Sequence, residues 1–303
     1  MTAQTQDQEA SKTVLLIGAT GHLGGMIARE LLKQGAGLRL LVRPKSRSKL
    51  DAEIAAKSEI FEDEEGAFDN VHTVVSAVQG GPATIVEAQL TWLRAARDAG
   101  VQRFIASDYS MNLFGLNDGE NIHSDFRRAF ASRAESERGD VGVVHLLNGA
   151  FLDRGVLFGF LGAFDLDKGE AYLWGDGDAK MEFTTFADTA AYAAAVAMDD
   201  RPVPDEIYVA GDVLTFDELV SEAEAGLGRS LTVKKLGTLA DMDAEIDRRQ
   251  ADGHGGFSAI PLMYWRAMLS GKGRLGPLMN DRYPWIQPTS VRHYVATMAA
   301  GTA

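Results

Sequence analysis

Apolar and polar positions follow two periods along the first half of the chain. Val14, Leu15, Leu16 and Ile17 form a short unbroken apolar run, as expected of a strand buried on both faces. Gly18-Ala19-Thr20-Gly21-His22-Leu23-Gly24 follows. Next comes a helical pattern in which Met26, Ile27, Leu31 and Leu32 are apolar while Arg29, Glu30 and Lys33 are not. Residues 13–30 therefore predict strand, glycine turn, helix. Strands are expected at 38–42, 58–61, 73–78, 103–107 and 141–147. The interval between 61 and 73 is too short for a full crossover helix, so a loop or single turn is predicted there. A helix should open at Gln79-Gly80-Gly81-Pro82 and run to Ala99, with Gly100 closing it. Another should lie around 126–137.

After Asn148 the alternation loosens. Short strands are predicted at 171–174 and 181–185, around the turn Gly175-Asp176-Gly177-Asp178. Asp188 is expected to cap an Ala-rich helix over 189–198. A strand at 206–210 and a helix over 215–227 follow, with Thr215 and Glu218 spaced as a capping box. Residues 231–236 alternate as a strand. The rest, from Leu239, reads as helical with a break at Gly253, Gly255 and Gly256. Strand and helix alternate up to Asn148, so the fold class is α/β: a Rossmann-type, doubly wound, mostly parallel sheet with a smaller mixed C-terminal region. The expected division is a loose tail at 1–12, a nucleotide-binding domain at 13–150, and a substrate-binding region at 151–303 that partly returns to the main sheet.

Composition narrows the function. The 303 residues are 46% apolar, enough for a sizeable core. No apolar run approaches the ~20 residues that span a bilayer. The polar first dozen residues lack a signal-peptide core, so a cytoplasmic location is expected. With no cysteine there are no disulfides, thiolate metal sites or Cys nucleophiles. A net charge of -13 argues against a nucleic-acid surface. The six histidines show no ligand-pair spacing, so no metal is expected.

The glycine stretch carries the first chemical signal. Gly18 and Gly21 permit a backbone path and a ligand approach that a Cβ would block. The helix start behind them favours an anion such as a pyrophosphate. In such a fold the end of the second strand meets the adenosine ribose. Arg43 stands there, followed by Lys45, Arg47 and Lys49. This basic cluster suits a 2′-phosphate and hence NADP(H) rather than NAD.

The runs GATGHLGG, LVRPKS, VVSAVQGG, AGVQRFIASDYS, LNGAF, GDGDAKMEF and TFDELV occur in this order over residues 13–237. In this the chain resembles the NmrA-like and isoflavone-reductase-like atypical short-chain dehydrogenases/reductases. The resemblance implies a Rossmann domain, NADP(H) and a smaller substrate region. By position it implies that Gly18, Thr20, Gly21, His22, Leu23 and Arg43 hold the cofactor's phosphates and adenosine. Ala77, Val78 and Gln79 would lie along its ribose. Ser107, Asp108, Asn148 and Phe151 would border the nicotinamide. The family implies a monomer or homodimer.

One departure stands out. Reductases of this kind place a lysine near the nicotinamide, yet no lysine occurs between Lys57 and Lys168. None of the seven tyrosines has lysine four positions later. The region where the lysine would fall reads Asn121-Ile122-His123-Ser124-Asp125-Phe126-Arg127-Arg128. His123 is the first candidate for the proton step, with Asp125 near it on the same turn. Tyr109, at a strand end, is the second. Arg127 replaces a lysine's charge but not its proton exchange. Trp174, Trp265, Tyr264 and Trp285 either line an aromatic-substrate pocket or belong to the core. Two functions are compatible with these residues. One is an NADPH-dependent reductase of a ketone, enone or aryl-type small molecule. The other is a non-catalytic NADP(H)-sensing regulator with a protein partner.

Overall fold

The computed structural model describes residues 12–251 and 257–301. The residues 1–11 of the expected tail and the predicted glycine break lie outside them. In chain order the first half contains β1 (Thr13–Ile17), α1 (His22–Lys33), β2 (Gly37–Leu41), α2 (Ala52–Ala56), β3 (Glu59–Phe61), β4 (Thr73–Ser76), α3 (Gln89–Asp98), β5 (Arg103–Ile105), α4 (Ile122–Glu137) and β6 (Gly142–Leu147). The second contains β7 (Ala150–Phe151), β8 (Phe164–Asp165), β9 (Glu170–Trp174), β10 (Met181–Thr184), α5 (Phe186–Met198), β11 (Glu206–Tyr208), β12 (Asp212–Leu214), α6 (Phe216–Leu227), β13 (Thr232–Gly237), α7 (Leu239–Ala251), α8 (Ile260–Leu269) and α9 (Val291–Ala299).

The main sheet has seven strands in the order β11-β6-β5-β4-β1-β2-β3. Every pairing in it is parallel. β1 lies between β2 and β4: Leu15 pairs with Arg39 on one side and Val74 on the other. The chain winds outward through β2 and β3, then crosses back to β4. The point of reversal opens a crevice above the carboxyl ends of β1 and β4. α1 and α5 cover one face, where Val14, Ile27, Leu31, Leu40 and Tyr192 are buried together. α3 and α4 cover the other, over Leu15, Val74, Leu90, Phe104 and Phe130.

β11 joins the edge of this sheet beside β6, so the second half does return to it. The rest of that half builds two three-stranded sheets, β12-β10-β7 and β13-β9-β8. Their core gathers Phe183, Phe216, Leu219, Met242 and Trp265. The end of α5 ties the halves together. Arg103 of β5 donates to the carbonyls of Val196 and Asp199 at the end of α5, where a cation also complements the helix dipole. Asp199 in turn accepts from Arg201, Arg282 and Tyr283. Burial opposes its ionisation, but these donors hold its carboxyl well below the usual range.

Three expectations need correction. α5 starts at Phe186, not 189, because Thr185 is its N-cap and accepts from the Asp188 N–H. Asp188 is thus inside the first turn. α4 starts at Ile122, four residues early, because Asn121 caps it through Ser124 N–H. His123 and Arg127 therefore stand one turn apart on one helix. The chain after Leu239 is not helical throughout. Between α8 and α9, Gly271, Gly273, Gly276, Pro277, Pro284 and Pro288 leave only a short turn at Asn280–Arg282. The Thr215/Glu218 capping box is present in full.

Candidate functional site

A cavity of ≈ 850 Å³ runs along the crevice. Its near end is made by backbone. Gly18 has φ +101°, and a Cβ there would lie 2.2 Å from the Ala77 carbonyl oxygen. A Cβ on Gly24 would lie 2.1 Å from the Gly18 oxygen. These two glycines let β1, β4 and α1 meet closely. Gly21 is the N-cap of α1 and makes no side-chain cap, and the first turn holds no acidic residue. The Gly25 N–H takes the Gly21 carbonyl, so the N–H groups of His22, Leu23 and Gly24 precede the helical bonding pattern. They are left to whatever anion lies above the turn. Thr20, Gly21, His22 and Leu23 all line the cavity.

Beyond the turn, Arg43 lies exposed at the cavity wall with the buried Ser46 beside it. Arg43 precedes the short turn Pro44–Lys49 and its carbonyl accepts from Ser46 N–H. Lys45 and Arg47 do not reach the wall; Arg47 pairs instead with Glu62 at 3.0 Å. Of the four cations in the basic cluster, Arg43 alone lines the cavity. Glu62, Asp63 and Glu64 close this end together with Trp92, whose indole N–H donates to Glu64.

The middle is formed by Ala77, Val78 and Gln79 after β4 and by Ser107 and Asp108 after β5. Ser107 Oγ donates to the Val78 carbonyl at 2.7 Å, and Ser107 N–H donates to Gln89 Oε1. Gln89 is fully buried and anchored to Ile85 O. The two loops are therefore fixed against each other. The Asp108 carboxylate is only 1% exposed and lies 2.5 Å from His145 Nδ1. Burial disfavours charge on His145, but Asp108 and the nearby Glu206 and Asp205 raise its pKa.

Tyr109 contributes to the wall at φ +33°. Its hydroxyl is buried without a hydrogen-bond partner, and burial followed by the Asp108 charge pushes its pKa far up. Asn148 is wholly buried with its side-chain amide unpartnered and, unlike Gly149 and Phe151, it is not part of the cavity wall.

Side chains make the far end. Phe151 stacks on Phe186 with centroids 3.9 Å apart and planes at 15°. His22 meets Phe186 edge-on at 4.8 Å, joining the glycine turn to α5. Phe186 escapes a sequence reading that starts α5 at 189; the Thr185 cap after a strand was the available signal. Arg127 is half-buried. Its Nε donates to the carbonyls of Ser107 and Asp108, and Nη1 donates to the carbonyl of His123. His123 faces the cavity, with Nδ1 3.4 Å from the hydroxyl of Tyr264 on α8. Burial, then the Arg127 charge, lowers the His123 pKa. At neutral pH the ring is neutral. Of the four aromatic residues singled out in the sequence, Tyr264 alone is in the wall. Trp265 is 1% exposed core, Trp174 packs against the second core, and Trp285 is 64% exposed.

Among the described residues no helix is long and apolar enough to cross a membrane. Residues 10–138 match the model of the NmrA-like family. A probable pinoresinol-lariciresinol reductase 3 from Arabidopsis thaliana is 24% identical over 236 residues, 75% of this chain and 77% of that protein. The solved structure of AtPrR2 with NADP+ and (+)pinoresinol superposes with a TM-score of 0.79 at 21% identity, covering 94% of this chain and 98% of that one. A crystal structure of isoflavone reductase gives 0.78 at 19% identity, covering 95% and 99%. Over residues 10–138 the chain is thus similar to the NmrA-like family, and over most of its length its fold is similar to that of isoflavone reductase.

Proposed function

We propose that this protein is an NADPH-dependent oxidoreductase that reduces an aryl-type small molecule. The observation that carries the reading is the division of one cavity into two chemically different ends. The near end fits a dinucleotide: its glycine cradle has no room for a Cβ, its helix start is uncapped, and Arg43 stands where a ribose 2′-phosphate would lie. Gly18, Thr20, Gly21, His22 and Leu23 would hold the pyrophosphate. Ala77, Val78 and Gln79 would follow the ribose, and Ser107 and Phe151 would border the nicotinamide. The reduced cofactor supplies a hydride when bound.

The far end suits an apolar, aromatic substrate. Val156, Phe160, Leu161 and Met268 offer carbon surface, and the Phe151–Phe186 stack offers a flat wall. Arg127 supplies the positive charge that a lysine would otherwise bring, and His123 takes part in the proton step. The similarity to a probable pinoresinol-lariciresinol reductase and to an isoflavone reductase supports this class of substrate. The test is oxidation of NADPH, followed at 340 nm, against aryl ketones, enones and aldehydes. Substrate-dependent oxidation is expected. Tight NADPH binding without oxidation across the panel would contradict the reading.

A further inference from the structure

The far end of the cavity is apolar except where α4 meets α8. There Tyr264 brings its hydroxyl within 3.4 Å of His123 Nδ1 and against the Ser110 side chain. Its ring is held edge-on by His123 and Phe160, with centroids 6.0 and 6.2 Å away. The charged and titratable groups set against that hydroxyl are Arg127 and His123, both from α4. Two packed rings thus fix a phenol at the polar point of an otherwise carbon-lined space.

The geometry points to Tyr264 as the residue that hydrogen-bonds the oxygen of an aryl aldehyde or ketone and gives it a proton, with His123 as the positioning residue behind it. The inference rests on reading the cavity as a reductase site. Acid–base chemistry separates the two side chains. A neutral His123 has no acidic proton to give, because burial and Arg127 disfavour the imidazolium. Burial raises the Tyr264 pKa, against the opposing pull of Arg127 and Ser110, so its O–H persists across the physiological range. An alkoxide is far more basic than a phenolate, so the transfer runs downhill.

The step balances. A reduced nicotinamide bound at the near end would supply the hydride to the substrate's carbonyl carbon and would itself be oxidised to the pyridinium form. The C=O π pair moves onto oxygen. The Tyr264 O–H bond breaks and the alcohol O–H forms. The phenolate left beside Arg127 regains a proton from water at the cavity mouth. The other notable tyrosine, Tyr109, has its hydroxyl buried without a hydrogen-bond partner.

The test uses 4-(dimethylamino)cinnamaldehyde, an aryl enal whose visible band moves to the red when its oxygen is hydrogen-bonded. It is titrated into the whole protein with NADP+, so that no hydride passes. The expected result is a red shift with wild type and with His123→Asn, whose side-chain amide stands in for the ring Nδ1. Tyr264→Phe should bind the probe within about threefold of wild type without the shift, and lose about 100-fold in kcat with an unchanged KM for NADPH. A red shift that survives in Tyr264→Phe, a kcat within about twofold of wild type, or no probe binding to a protein that still binds NADPH would each overturn the assignment. Absence of NADPH binding in calorimetry would instead overturn the reductase reading beneath it.

Discussion

The two ends of the cavity are built in opposite ways. The near end is mostly backbone from one continuous stretch, residues 17–24, with Ala77 across from it. The far end is side chains drawn from separate places, including Phe151, Phe186 and Tyr264. A backbone cradle fails when a single atom is added. A side-chain wall can lose one group and keep its shape. The near end should therefore control folding and cofactor affinity together, while the far end controls chemistry with little effect on either.

Gly18→Ala tests the cradle most severely. The new methyl would meet the Ala77 carbonyl at 2.2 Å, on a backbone held at φ +101°. The expected cost is about 3 kcal/mol of stability and a loss of NADPH affinity of at least ~100-fold, read by denaturant unfolding and calorimetry. A variant that folds and binds as wild type would refute the close approach of β1 and β4. His123→Ala addresses the other end. Its kcat should fall by about 30-fold while NADPH affinity stays within about twofold, because the ring touches the far end only. A parallel loss of NADPH affinity would show that the ends are not separate.

Arg43→Ala should weaken NADPH by about tenfold and leave NADH unchanged, since one charge-assisted contact is removed. Lys45→Ala and Arg47→Ala should have little effect, because neither side chain reaches the wall. The pH profile gives a smaller and more gradual effect. His123, with its pKa lowered by burial and Arg127, is neutral above the ordinary histidine value. Tyr264, with its pKa raised, keeps its proton well past neutrality. Steady-state kcat should therefore be flat from about pH 7 to 9 and fall only on the acid side as His123 gains a proton. A decline already complete by about pH 8 would indicate an imidazolium donor. At the smallest extreme, Trp285→Ala removes a large ring that is 64% exposed. It should change stability by about 0.5 kcal/mol or less and leave turnover alone.

The same contrast decides what could be read from the chain. Gly18, Gly21 and their flanking strand and helix are local in sequence, and the backbone rules that act on them are local too. The parallel sheet was legible for a similar reason: short apolar runs alternating with helical periods leave few ways to wind. The far wall depends on contacts that no window contains. Tyr264 and Trp265 are neighbours of similar character, yet a helix turns its side chains by about 100° per residue, so one enters the cavity and the other enters the core. Nothing in the sequence near them says which. The basic run after β2 shows the same limit. Its composition showed four cations, but only the fold shows that Glu62 takes Arg47 and leaves Arg43 at the wall. Cap assignments failed by a few residues where two candidates competed, as Thr185 and Asp188 do.

The most direct measurement of the central claim is a pair of calorimetric titrations, NADPH and NADH, into the wild-type protein under one buffer condition. A single site that prefers NADPH by about tenfold or more is the predicted result, since Arg43 would meet the extra phosphate. Equal affinities, or no binding of either dinucleotide, would contradict it.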